Sequence, residues 1–195
     1  MTGPILRAGD AAVARAAELI LSGAVVAYPT ETLYGLAVDA LDELALARLV
    51  GIKGRDPARP FPLLVTDIEM LAGVVEAVPP AARRLIEAHW PGALTLVLPA
   101  AAALPRALVG PRGGVGVRIS SEPVARALVA AVGRPITATS ANRAGEPPAT
   151  CAAAAASLEV ALVLDGGVRD AAPSTVVEVL ERPIVLRAGM VLVDG

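Results

Sequence analysis

Glutamine is absent from this 195-residue chain, and lysine, asparagine, histidine, cysteine, tryptophan and phenylalanine each occur once. Cys151, having no second thiol, can form neither an internal disulfide nor a thiolate zinc site, and reads as a small packing residue. His89 alone rules out a multi-histidine metal centre and leaves few members for a Ser-His-Asp or Cys-His arrangement. Set before Trp90 and Pro91, it reads as the C-terminal cap of a helix. Aromatics at 2% offer no broad stacking platform, and a net charge of −2 gives no global basic field for nucleic acid, although a locally positive cleft stays open. Long apolar runs are missing too, because Pro91, Gly92, Pro99 and Pro105 interrupt the stretch from Trp90 to Pro105. Asp10, Arg15 and Glu18 break up what would be the apolar core of a signal peptide. The expectation is a cytoplasmic protein that does not engage a membrane.

The chain is rich in hydrophobic residues, at 55%, enough for one sizeable core and a single domain over 1–195. Of seventeen basic residues, sixteen are Arg and one is Lys53. A compositional drift toward Ala, Arg, Gly and Pro accounts for that bias. Where Lys53 and Asn142 resist it, side-chain geometry is the stronger explanation, since a compact ammonium cannot be exchanged for a planar guanidinium.

Helix and strand signals alternate along the whole chain, predicting an α/β layered domain without repeats. Helices are expected from Asp10, as cap, to Ser22, from an Asp42 cap to about Gly51, and over 67–74, 80–88, 122–132 and 151–157, the last capped by Thr150. Strands are expected at Ala24–Tyr28, Leu36–Val38, Leu63–Thr66, Leu94–Leu98, Val115–Ile119, Ile136–Thr139, Ala161–Leu164, Thr175–Leu180 and Ile184–Leu186. No GxxxxGK[ST] or GxGxxG motif occurs, so a nucleotide site would have to be built another way.

Four polar clusters fall at predicted strand ends or just past a helix, where open α/β sheets place ligands. Tyr28 to Gly35 brings two threonines, Glu31 and Tyr34 out of a buried strand, and reads equally as a structured turn. Lys53-Gly54-Arg55-Asp56-Pro57-Ala58-Arg59 is read as a loop whose cations converge on phosphate oxygens, or as a solvated basic loop. Thr139-Ser140-Ala141-Asn142 offers hydroxyls and a carboxamide. Ser174-Thr175 precedes a strand, and Arg118 and Arg187 stand at the ends of neighbouring ones. With so few nucleophile-base pairs available, catalysis is expected from positioning and electrostatics.

These clusters, with Trp90-Pro91-Gly92-Ala93-Leu94-Thr95, Asp165-Gly166-Gly167 and Ser174-Thr175-Val176-Val177, occur in an order and spacing that resemble the YrdC/Sua5 family over nearly the whole chain. The resemblance implies a twisted mixed sheet with flanking helices around an open, positively charged cavity, similar to dihydroxybutanone phosphate synthase. The implied activity is nucleotidyl transfer: L-threonine, bicarbonate or CO2, and ATP with Mg2+ give threonylcarbamoyl-AMP and pyrophosphate. Threonine's amine, carboxylated to a carbamate, attacks the α-phosphorus. The product would pass to a tRNA threonylcarbamoyl transferase complex that makes N6-threonylcarbamoyladenosine at position 37. Carried over by position, Lys53, Arg55, Arg59, Ser140, Asn142 and Arg187 would bind the nucleotide, Lys53 and Arg55 acting in catalysis. Thr32, Arg118 and Ser174 would hold threonine, and no resident metal site is implied.

Four positions depart from the family pattern: Thr66, Pro148, Pro173 and Ala188 replace a histidine, a serine, a glutamate and a proline. Rival readings are a double-stranded RNA or tRNA-binding module, and the carbamoyl-adenylating domain of hydrogenase maturation proteins, proteins that normally carry zinc-binding cysteines and an acylphosphatase segment as well. Since Lys53 is read as a loop residue, its removal is expected to cut turnover and spare the fold.

Overall fold

A computed structural model describes residues 3–54, 56 and 59–193. In chain order the first half holds β1 (Ile5–Arg7), α1 (Asp10–Leu21), β2 (Val26–Pro29), β3 (Tyr34–Ala37), α2 (Glu43–Lys53), β4 (Leu63–Leu64), α3 (Ile68–Ala72), α4 (Pro80–His89) and β5 (Leu94–Pro99). The second half holds a 3-10 turn (Arg106–Leu108), β6 (Gly114–Arg118), α5 (Pro123–Val132), β7 (Ile136–Thr137), β8 (Thr139–Ser140), α6 (Ala152–Ala156), β9 (Leu162–Asp165), β10 (Thr175–Val179) and β11 (Pro183–Arg187). The expected α/β architecture is present, with the strands divided between two mixed sheets. One runs β1-β9-β2-β3-β8 and the other β11-β10-β5-β6-β4-β7. Among the described residues no helix is long and apolar enough to cross a membrane.

Alternation along the strands decides what each face meets. In β2, Val26 and Tyr28 point to one cluster with α1 and α5, built from Val13, Ile20, Leu128 and Val129. Ala27 joins the main core, which includes Leu46 and Leu49 of α2 and Ala155 of α6. The six-stranded sheet has one covered face and one open face. Leu94, Leu96 and Leu98 of β5, Val115 and Val117 of β6, and Val177 and Val179 of β10 enter the main core. Their neighbours Thr95, Val97, Gly114, Gly116, Arg118, Val176 and Glu178 turn the other way and line a cavity.

Local chemistry explains where several elements end differently from expectation. Asp42 caps α2 as anticipated, its Oδ1 accepting from the amides of Leu44 and Ala45 at 2.9 and 3.1 Å. The helix then runs past Gly51 to Lys53 and stops only at Gly54, whose φ of 56° is the left-handed conformation that glycine adopts without strain. Lys53 is therefore a helical residue and not a loop residue. Asp10 is the first residue of α1 rather than its cap, a place taken by Gly9, and Cys151 rather than Thr150 precedes α6. Most predicted strands, β11 among them, hold their positions within about two residues. β1 and the 3-10 turn were not anticipated, being too short to show periodicity.

The single strand expected at Ile136–Thr139 is in fact two. Ile136 and Thr137 pair with β4 in the six-stranded sheet, whereas Thr139 and Ser140 pair with β3 in the five-stranded one. Thr137 is completely buried at this crossing. Its hydroxyl donates to the carbonyl of Leu36 at 2.9 Å and accepts the amide of Val38 at 3.1 Å, while its carbonyl accepts the hydroxyl of Tyr28 at 3.1 Å. Replacing Thr137 with isosteric Val strands a buried donor and a buried acceptor, so Thr137→Val should lower unfolding free energy by about 1–3 kcal/mol. Denaturant titration checks this; an unchanged midpoint would mean the junction does not hold the sheets.

Candidate functional site

Where the strands pass from one sheet to the other, the two sheets diverge and enclose a cavity of about 730 Å³. That volume is of the size that holds small-molecule ligands. Its charged lining among the described residues comprises Lys53, Arg59, Arg112, Arg118 and Arg187 against the single carboxylate of Glu178. Thr32, Ser140, Asn142 and Ser174 also face it. Eight of the nine residues picked from the sequence thus share one space, and Arg55 lies outside the described residues.

One wall is built on α2 and β8. Lys53 is 4% exposed, its stem buried and its Nζ donating to the carbonyl of Ser140 at 2.7 Å and to Asn142 Oδ1 at 2.8 Å. Ser140 Oγ donates to the same Oδ1 at 2.6 Å, so its lone pairs face outward. Asn142 Nδ2 is fixed by the carbonyls of Arg143 and Glu146 at 3.0 and 2.7 Å. The carboxamide orientation is thus set by two donors on its oxygen side and two acceptors on its nitrogen side. Only a residue with both functions satisfies this network, which explains why Asn142 resists compositional drift. Removing Lys53 would disturb this junction, contrary to the expectation that its loss spares the fold.

A second wall centres on Arg118, at the end of β6, with a side chain 8% exposed. Its Nη2 lies 2.5 Å from Glu31 Oε2. That approach is ionic rather than a well-aligned hydrogen bond, because Arg118 Nε and Nη2 both lack a hydrogen-bond partner among the described residues. Glu31 is itself held by the hydroxyl of Ser120 and the amide of Ser121. Burial pushes its carboxyl up, but the Arg118 charge and the hydrogen bonds outweigh that and leave it below its ordinary value. Thr32 follows in the same turn. Thr30 Oγ1 gives its proton to the carbonyl of Leu33 at 2.7 Å, so in the 2.9 Å contact between the two threonines Thr32 must be the donor. Thr32 therefore presents lone pairs to the cavity.

Arg187, closing β11, donates through Nε and Nη2 to the carbonyl of Ser174 at 3.1 and 2.8 Å, and through Nη2 to Ser174 Oγ at 3.1 Å. Ser174 Oγ also lies 3.0 Å from Thr95 Oγ1. Burial, followed by the like charge of Arg118, lowers the Arg187 pKa. Arg59 is exposed at the rim. Among the departures, Pro148 and Pro173 do line the cavity, whereas Thr66 turns away to donate to Asp67 Oδ2 at 2.8 Å. Four contributors went unnamed as site residues: Glu31, Thr95, Arg112 and Glu178. Only the alternation of β5 and β10 could have signalled Thr95 and Glu178, and Glu31 reads in sequence as one more turn residue. Among the described residues no group of three or more His, Cys, Asp or Glu is arranged to hold a metal ion.

A family model named Sua5/YciO/YrdC and described as telomere recombination matches residues 18–189. The threonylcarbamoyl-AMP synthase of Chromohalobacter salexigens is 40% identical over 167 residues, covering 84% of this chain and 90% of its own. That of Pyrococcus abyssi is 38% identical over 179 residues, 89% of this chain, which spans only 53% of that relative. The structure of P. abyssi Sua5 complexed with L-threonine superposes with a TM-score of 0.89 at 35% identity, covering 96% of this chain and 57% of its own. E. coli YciO does so with 0.84 at 28% identity, covering 96% and 94%.

Replacing Glu31 with Gln leaves the Arg118 charge buried without its counter-ion, and Glu31→Gln should cost about 3 kcal/mol at neutral pH. The carboxyl stabilises the fold above its ordinary range of about pH 4–5 and ceases to as pH falls through its lowered value. The wild type should therefore lose stability on acidification faster than Glu31→Gln. Denaturation midpoints at about pH 7 and about pH 3 measure both effects; equal slopes would rule out the ion pair as the cause.

Proposed function

This chain belongs to the Sua5/YciO/YrdC family, and from that premise we propose that its cavity joins L-threonine, bicarbonate and ATP into threonylcarbamoyl-AMP and pyrophosphate. One observation carries the reading: the buried Arg118, ion-paired to Glu31, shares a cavity with the Lys53, Ser140 and Asn142 network. A guanidinium lining the cavity suits a carboxylate, which it can hold through two parallel hydrogen bonds. A solved relative in the same fold is complexed with L-threonine. In this reading Arg118 takes the threonine carboxylate, Thr32 accepts from its amine or hydroxyl, and Ser174 supports it from β10.

Phosphates belong beside Lys53, Ser140 and Asn142, with Arg55, Arg59 and Arg187 adding charge. The amine of threonine reacts with bicarbonate to give a carbamate and water. A carbamate oxygen then bonds to the α-phosphorus of ATP as the bond to the bridging oxygen breaks, and that oxygen leaves with pyrophosphate. The protein has little covalent work to do. Fixed cations stabilise the charge that builds on the phosphates, and because they are already in place they need no reorganisation. Mg2+ would arrive with ATP, held by phosphate oxygens and water, and it neutralises charge on the leaving group. The reaction would take place in the cytoplasm, and a tRNA-modifying transferase would consume the mixed anhydride.

Pyrophosphate release from ATP should require both L-threonine and bicarbonate. Lys53→Met, which keeps the buried stem and removes the charge, should slow it by about a hundredfold or more. Release by Lys53→Met at the wild-type rate would remove Lys53 from catalysis, and no release by a folded wild type that binds RNA would favour the binding-module reading.

A further inference from the structure

The threonine and phosphate sites leave one stretch of cavity wall without a role. Glu178, Val97 and Gly116 form a row across three strands, since Glu178 pairs with Val97 and Val97 with Gly116. The row of Val176 and Thr95, next to Arg118, lies two residues away, roughly 7 Å along the strands. Beside these rows Gly114 and Gly116 add no side chain to the wall, and their neighbours close in over them. A Cβ on Gly116 would stand 3.1 Å from Pro62 Cβ, and one on Gly114 would stand 2.6 Å from Val97 Cγ1. With Val97 and Val176 they make an apolar shelf, bounded outward by Leu186.

Glu178 interrupts this shelf. It is 6% exposed, yet it lines the cavity. Its Oε1 takes the guanidinium of Arg112, and Oε2 accepts no hydrogen bond among the described residues. A carboxylate repels phosphate and carboxylate ligands, so this end cannot serve either charged group of the substrates. It fits an uncharged, flat ligand portion that brings hydroxyl donors, and a nucleoside has that form.

The geometry points to Glu178 as the acceptor for the ribose hydroxyls of the nucleotide, oriented by Arg112, with the base resting on the glycine-valine shelf. This rests on the adenylation reading above. A hydroxyl held by a carboxylate is worth a factor of roughly ten to a hundred in affinity.

The test is equilibrium binding of ATP, 2′-deoxy-ATP and 3′-deoxy-ATP to the wild-type protein, E178Q and E178A, without threonine or bicarbonate. E178Q is isosteric and keeps an acceptor for Arg112, which protects the experiment against a misfolded E178A. The wild type should prefer ATP over at least one deoxy analogue by about tenfold or more. Both variants should shrink that preference, by weakening ATP while leaving the analogue where it was. A preference that persists in the variants, or ATP and analogues weakened alike, overturns the assignment while leaving the adenylation reading intact. Failure of the wild type to bind any nucleotide is the separate result that sinks the adenylation reading, and this inference with it.

Discussion

Thr137 is the residue on which the two sheets depend. The segment around it belongs to both sheets, pairing with β4 on one side of Ala138 and with β3 on the other. A chain that changes sheets leaves backbone groups to satisfy inside the core, where an unpaired donor or acceptor is costly. Thr137 meets that need from one position with its hydroxyl, amide and carbonyl, binding Leu36, Val38 and Tyr28. The crossing delivers Ser140 and Asn142 to the end of α2, and Ala138 itself lines the cavity. The cavity follows from that divergence of the two sheets.

Electrostatics then shapes what the cavity can hold. Among the described lining residues, five cations against one carboxylate make a field for anions, although the whole chain carries a net charge of −2. The cations are not equivalent. Lys53 is locked into a hydrogen-bonded network, Arg118 is buried against Glu31, and Arg187 is turned onto Ser174. Each is held before any ligand arrives, which is the condition for stabilising developing charge at little reorganisation cost. Arg118 differs in being buried against a carboxylate that is itself held by Ser120 and Ser121, which fixes its charge at one point of the cavity wall.

Much of this was legible in the sequence. The Asp42 cap and the apolar runs placed most helices and strands, because a cap and the valine-leucine strands act locally. The singular Lys53 and Asn142 pointed to the network they form, since neither Arg nor Gln could reproduce its geometry. Other features depend on contacts distant in the chain and left no local trace. The division of Ile136–Ser140 between two sheets is dictated by partners about a hundred residues upstream for β3 and about seventy for β4. The reach of α2 to Lys53 depends on tertiary burial of its last turn. Glu31 looks like a turn residue until β6 brings Arg118 against it. Glu178 looks like one polar residue in a strand until the open face of its sheet is known to be a cavity floor.

In the proposed reaction one cavity holds an amino-acid carboxylate and a nucleotide at the same time, on different walls. A crystal structure of the chain with L-threonine and a non-hydrolysable ATP analogue tests it most directly. The threonine carboxylate should lie on Arg118, and the phosphates against Lys53, Ser140 and Asn142. Threonine and nucleotide excluding one another at the same wall, or either seated outside the cavity, would contradict it.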